Sequence, residues 1–231
     1  MNLTEKTLKK EYQYQGKILK MRVDEVELPN GNTAKREVVE HPGGVTIAAL
    51  TDDNELLFVR QFRYPYETVL LELPAGKLDP GENQPLEAAK RELQEETGAV
   101  GKDYISLGTF YPSAGFCDEV LHLYFCKVAS IGASHPDEDE FIEPILIPIE
   151  KAVEMVLNNE IPDGKTQVPE NPSSPAMQYI QIKEKATAMQ QQNRLYPEKA
   201  LCSVRPVKNC YPSHRPTGFP VSSEAGFSKA Y

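Results

Sequence analysis

The sequence predicts a mixed α/β protein of the α+β kind, a sandwich on a mixed sheet with an antiparallel β subdomain in front. Three observations predict it. Short β-rich apolar runs recur from residue 43 to residue 149, a helix stands among them, and the first 40 residues read as strands. A length of 231 residues allows one domain and a sizeable accessory piece.

Residues 18–28 alternate in polarity, with Met21, Val23, Val26 and Leu28 as the apolar members. They end at Pro29, Asn30, Gly31 and Asn32, a strong hairpin turn, and the return strand passes through Arg36, Val38 and Val39. Strands with so few large apolar groups cannot bury a core alone. Residues 1–42 are therefore expected to be a subdomain packed on the rest of the chain or on a second subunit. Residues 45–50, 56–59 and 69–73 are central-strand candidates, the last stopped by Pro74. A Gly-containing loop leads to a helix over residues 85–97, with Pro85 in its first turn and Gly98 as its stop. Further strands are expected near 104–110, 121–128 and 142–149, then a helix over 150–159.

Composition excludes several functions. No apolar run approaches the ~18 residues of a spanning helix, so no membrane partner is expected. The N-terminal residues lack the apolar segment of a secretory signal. Four scattered cysteines, with no CxxC, point to a reducing cytoplasm. The net charge of −9 argues against nucleic acid as a partner. An acidic protein can still bind phosphates by recruiting metal cations.

The charge is uneven. Residues 1–166 hold 17 Lys+Arg and 30 Asp+Glu, whereas residues 167–231 hold 8 and 4. The body is thus expected to span residues 43–166, followed by a basic, Pro- and Gln-containing tail over 167–231 that is partly disordered. Pro169, Pro172 and Pro175 are expected to forbid a continuous helix after Thr166, with a helix over about 174–191 and disorder from 195 onward.

The chemistry lies on the helix at 85–97. With Glu92 at the origin, Glu96 falls at about 40° and Glu95 at about 300°, one arc of roughly 100°. Leu86, Ala89 and Leu93 lie on a separate apolar edge. Three neighbouring carboxylates repel one another, and a divalent cation reverses the sign of that interaction. An all-oxygen donor set suits Mg²⁺ or Mn²⁺ rather than zinc. Arg91 stands four residues before Glu95 and can hold it by an ion pair. Taken alone, such an arc is more often a solvated helix face.

Its context changes that weight. The run GKLDPGENQPLEAAKRELQEETG resembles the signature box of the Nudix hydrolases through Gly76, Glu82, Arg91, Glu92, Leu93, Glu95, Glu96 and Gly98. One departure is plain: eight residues, not seven, separate Glu82 from Arg91. The stretches VVEHPGG, VRQFRYP, SAGFCDE and DEDEFIE extend the resemblance to the ADP-ribose pyrophosphatase branch over residues 5–166. The resemblance implies a Nudix-type α/β/α sandwich, a homodimer completed by the N-terminal strands, and Mg²⁺-dependent cleavage of a nucleotide sugar, ADP-ribose, to AMP and ribose 5-phosphate. It implies Glu92, Glu96, Glu140 and the Ala75 carbonyl as metal ligands, with Glu95 beside them and Arg91 as its support. Glu138 resembles the residue that activates water, the choice between Glu138 and Glu140 staying open. Arg36 and Arg63 match arginines near the adenosine diphosphate, or are surface ion pairs. Ser113, Gly115, Phe116 and Glu119 match the loop that meets the terminal ribose, and Glu72 faces the site or edges its strand. Two other readings stand beside this one: hydrolysis of another nucleotide sugar such as GDP-mannose, and a non-catalytic ADP-ribose-binding regulator.

Overall fold

In a computed structural model, which describes residues 1–170, strand β4 (Gly44–Leu50) is buried over its whole length. Its alternating side chains serve two cores. Val45, Ile47 and Ala49 point to one face and Ala48 and Leu50 to the other. A strand with no polar face must be covered on both sides by helices. Helix α1 (Pro85–Thr97) covers the first face through Ala88, Ala89 and Leu93. Helix α2 (Ile149–Leu157) covers the second through Ile149 and Ala152, aided by Ile161. Burying a leucine such as Leu93 contributes roughly 2 kcal/mol.

Strands β1 (Lys6–Gln15), β2 (Lys20–Glu27) and β3 (Thr33–Glu40) form a separate antiparallel sheet. The β2–β3 turn carries Gly31 at φ 84°, and Asn30 accepts the Asn32 N–H at 3.0 Å. The main sheet has the order β10–β5–β4–β9–β8, built from β5 (Glu55–Arg63), β8 (Ala99–Phe110), β9 (Leu121–Ile131) and β10 (Ile142–Pro148). Among the described strands of this sheet only the β4–β9 pair is parallel, with Gly44 opposite Leu121 and Leu50 opposite Lys127. Strand β6 (Thr68–Glu72) pairs with β5, and a short strand β7 (Ala75–Lys77) pairs with β4. The β7 pairing was not legible in a three-residue run of Ala, Gly and Lys. Together these elements make the α/β/α sandwich with a mixed sheet.

Two expectations are corrected. Helix α3 (Gly164–Glu170) begins at Gly164 and runs through Pro169. A proline near the end of a short helix forfeits one hydrogen bond, here to the Lys165 carbonyl, without ending it. The acidic edge of α1 is also not separate from the buried one: Ala88 and Glu96 are buried along with Ala89 and Leu93. The tail expectations for residues 174–191 and 195–231 lie outside the described residues. Among the described residues, no helix is long and apolar enough to cross a membrane.

Candidate active site

The main sheet splits beside β4. One edge of β4 pairs with β9 throughout, while the other pairs with β7 at residues 44–46 and with β5 only at Leu50. At the opening, the Ile47 N–H bonds to the Pro74 carbonyl at 2.9 Å. A cleft of about 790 Å³ lies here, lined by residues of β4, β5, β7, α1, the 137–140 loop and the 163–165 turn.

One wall is α1. Gly98, at φ 70°, stops the helix and donates to the Gln94 carbonyl at 2.8 Å. A side chain there would also meet the Gly132 carbonyl at 2.3 Å, so the stop is steric as well as conformational. Glu92, Glu95 and Glu96 all line the cleft. Glu96 is only 4% exposed, and its Oε2 accepts the Ala75 N–H at 3.1 Å. Burial, with Glu92 and Glu140 adding repulsion, pushes the Glu96 carboxyl up to about 8. Burial likewise pushes Glu92 up to about 7, against the pull of Arg91 and with Glu95 and Glu140 adding to it. Gly76 lies against this wall. A Cβ on it would fall 1.9 Å from the Glu92 Cδ, so the β7 backbone leaves its space to that carboxylate.

Arg91 organises the wall. Its Nη1 lies 2.9 Å from Glu92 and 3.0 Å from Glu95, and its Nη2 lies 3.4 Å from Glu82. Burial opposes its charge, but Glu92, Glu95 and Asp79 outweigh it and raise its pKa. Glu82 reaches Arg91 despite the longer spacing, standing in the loop that leads to Gln84, the N-cap of α1. The loop with the second acidic run is tied to the end of α1 by the His135 N–H on the Glu95 carbonyl at 2.8 Å. On it, Asp137 and Glu140 line the cleft, whereas Glu138 is exposed and outside the lining. Burial first, and then Asp137, raises the Glu140 carboxyl.

A second part of the lining carries cations. Arg63, at the end of β5, forms a two-pronged pair with Glu72, Nε to Oε1 at 2.7 Å and Nη2 to Oε2 at 2.6 Å. Lys165 pairs with the same Glu72 and lies 3.0 Å from Asp163. Burial opposes the Glu72 charge, but Arg63 and Lys165 outweigh it and hold its pKa below the usual range. Arg63 and Lys165 line the cleft; Glu72 stands behind them.

The expected loop at 113–119 is a turn joined to β3 through Val39 N–H to Phe116 carbonyl (2.7 Å) and Asp118 N–H to Val39 carbonyl (3.0 Å). Glu119 lines the cleft, while Ser113, Gly115 and Phe116 do not. His41 lines the cleft with its Nδ1 3.3 Å from Glu119. Arg36 lies outside the lining, on β3, and pairs with Glu5. Asp137, Asp163 and Lys165 were missed as site residues. The DGKT run at 163–166 was legible only as the boundary of the body.

Residues 40–167 match the NUDIX domain family. The chain belongs to the Nudix family. Residues 5–39 match the nucleoside diphosphate sugar hydrolase N-terminal domain. This Nudix hydrolase is 42% identical to an ADP-ribose pyrophosphatase of Bacillus subtilis, over 79% of this chain and 96% of that protein. It is 43% identical to a methanol dehydrogenase activator of Bacillus methanolicus, over 78% of this chain and 94% of the relative. A Mycobacterium tuberculosis ADP-ribose pyrophosphatase is 36% identical over 67% of this chain and 76% of its own.

Nudix hydrolases generally use divalent metal ions such as Mg²⁺. The acid wall of this chain fits such an ion. Its donors are all oxygen, and among the described residues Arg91 is the one ion-pair partner of Glu92 and Glu95. Buried Glu96 and half-buried Glu92, both with raised pKa values, have room for a further cation. Among the described residues no three acidic, imidazole or thiol groups already form a metal cage.

Proposed function

We propose that this Nudix hydrolase cleaves the pyrophosphate bond of ADP-ribose with water, giving AMP and ribose 5-phosphate. The observation that carries the reading is 42% identity spanning 96% of an ADP-ribose pyrophosphatase. The convergence of Glu92, Glu95, Glu96 and Glu140 on one cleft supports it.

Glu92, Glu96 and Glu140, with the Ala75 carbonyl and Glu95, would hold Mg²⁺, with Mn²⁺ as the alternative ion. Bound there, the metal supplies charge screening for the diphosphate and a more acidic water. The chain's own residues do the positioning. Arg91 orients Glu92 and Glu95, and the Ala75 N–H orients Glu96. Arg63 offers the diphosphate a planar fork of donors. Glu138, on the exposed loop, takes the proton of the attacking water after the loop closes on substrate. Glu119 meets the terminal ribose, the turn of Ser113, Gly115 and Phe116 moving in toward it once substrate is bound, and Arg36 serves the adenosine diphosphate of a neighbouring subunit.

We infer a homodimer formed through the N-terminal strands. All ten residues of β1 are exposed, Leu8, Tyr12 and Tyr14 among them, which is a poor state for a three-stranded sheet. A cytoplasmic location accords with the scattered cysteines. A second reading follows from the relative named a methanol dehydrogenase activator: a role in activating a dehydrogenase.

A phosphatase-coupled phosphate-release assay in Mg²⁺ tests the first reading with ADP-ribose, GDP-mannose and NADH. Turnover of ADP-ribose above the other two is expected. Preference for GDP-mannose moves the substrate, and binding of ADP-ribose without turnover of any of them points to a regulator.

A further inference from the structure

The cation wall has a feature that α1 does not account for. Glu72 is 1% exposed, too deep to meet a solute. A carboxylate buried so far requires a counter-ion, and the two-pronged Arg63 already provides one. Lys165 is a second cation on the same carboxylate. Asp163, its other partner, is itself engaged, accepting the Thr166 N–H at 3.0 Å and the Thr166 hydroxyl at 2.6 Å.

The positions of both cations are set in advance. The Leu73 N–H donates to Thr166 Oγ1 at 2.9 Å, which ties the 163–166 segment to the turn that carries Ala75 and Gly76. The Lys165 side chain is 13% exposed and held by two acids, so its freedom is already lost before a ligand arrives. An ammonium has three hydrogens, and two acceptors face it. The third hydrogen of Lys165 and the Nη1 group of Arg63 meet no acceptor among the described residues, and both side chains line the cleft.

We propose that Lys165 is a substrate-binding residue, the partner of Arg63 in a two-cation clamp for the diphosphate, with buried Glu72 as their common anchor. This rests on reading the cleft as a nucleoside diphosphate site. The clamp draws on elements other than α1, β5 for Arg63 and α3 for Lys165. It assigns Glu72 to holding the clamp rather than touching substrate.

Lys165→Met and Lys165→Gln test it, the second keeping a donor for Glu72 in case the first does not fold. The expected result is a rise in KM for ADP-ribose of roughly ten- to a hundredfold, the effect of one charge-assisted hydrogen bond. kcat should stay within about threefold, as for an interaction made equally in the ground and transition states. Affinity for inorganic pyrophosphate, by isothermal titration in Mg²⁺, should fall by a similar factor, and Arg63→Ala should add to the loss. The clamp is overturned if pyrophosphate does not bind the wild type, or if the variants stay within about twofold of it. It is also overturned if the Lys165 effect vanishes in Arg63→Ala, since Lys165 would then act only through Arg63. A wild type that leaves ADP-ribose intact, yet loses pyrophosphate affinity on Lys165→Gln, removes the proposed substrate and keeps the clamp.

Discussion

The two walls of the cleft differ in charge balance and are built in opposite ways. The acid wall is one helix: Glu92, Glu95 and Glu96 come from a single run of 13 residues, with Arg91 among them. The cation wall draws Arg63 from β5, Glu72 from β6 and Lys165 from α3, 102 positions apart at the extremes (165 − 63). The acid wall is under-neutralised, with two carboxyls pushed up to about 7 and about 8. The cation wall is balanced, with Glu72 held below the usual carboxylate range. One wall is therefore prepared to take up positive charge and the other to present it. A diphosphate with its metal ions needs both.

Removing one acid should break this contrast most severely. Glu96→Gln is expected to lower kcat on the order of 10³-fold, since charge stabilisation dominates phosphoryl transfer. Steady-state kinetics across a Mg²⁺ titration would check it, and activity within tenfold of wild type would take Glu96 out of the metal set. Glu138→Gln comes next, with kcat reduced roughly 10²-fold and KM little changed. Near-normal turnover would exclude Glu138, and a matching loss in Glu140→Gln alone would move the base there.

Gly76→Ala sharpens the geometry of the acid wall. The added methyl would need the space that the Glu92 carboxyl occupies. A flexible carboxyl can swing aside, so activity should fall about tenfold or more while the unfolding midpoint moves by only a few degrees. The reverse pattern, full activity with a large loss of stability, would mean that the contact is packing alone.

The smallest effect concerns pH. Glu96 ionises near 4.5 when unfolded and near 8 when folded, so the folded state holds its proton more tightly. Its contribution favours the folded state below pH 4.5 and is lost as pH rises toward about 8. In EDTA, the wild type should melt earlier at pH 8.5 than at pH 5 in calorimetry, and Glu96→Gln should recover several degrees at the higher pH, from roughly 1–2 kcal/mol. No recovery would mean that the charge on Glu96 is not a burden to the metal-free fold.

How much of the site was legible follows from sequence distance. Glu92, Glu95 and Glu96 sit at helical spacing, and periodicity alone puts them on one arc. The irregular spacing of Glu82 hides its place from local geometry, and in the fold Arg91 reaches it across the loop. Lys165 carried no local signal. A lysine after Asp-Gly looks like any surface turn until Glu72 is found beneath it. His41 is alike: its neighbour in the cleft, Glu119, lies 78 positions further on (119 − 41).

By itself the sequence determined the strand and helix succession, the stop at Gly98, the carboxylate arc and the family signature. Each of these depends on residues within one or two turns of each other, where backbone geometry dictates which side chains meet. Only the tertiary structure decided that the arc is partly buried, that β7 opens the sheet beside it, and that Arg63 and Lys165 share Glu72. Those outcomes depend on which distant segments pack together, and a buried charge takes its meaning from neighbours that local spacing does not specify.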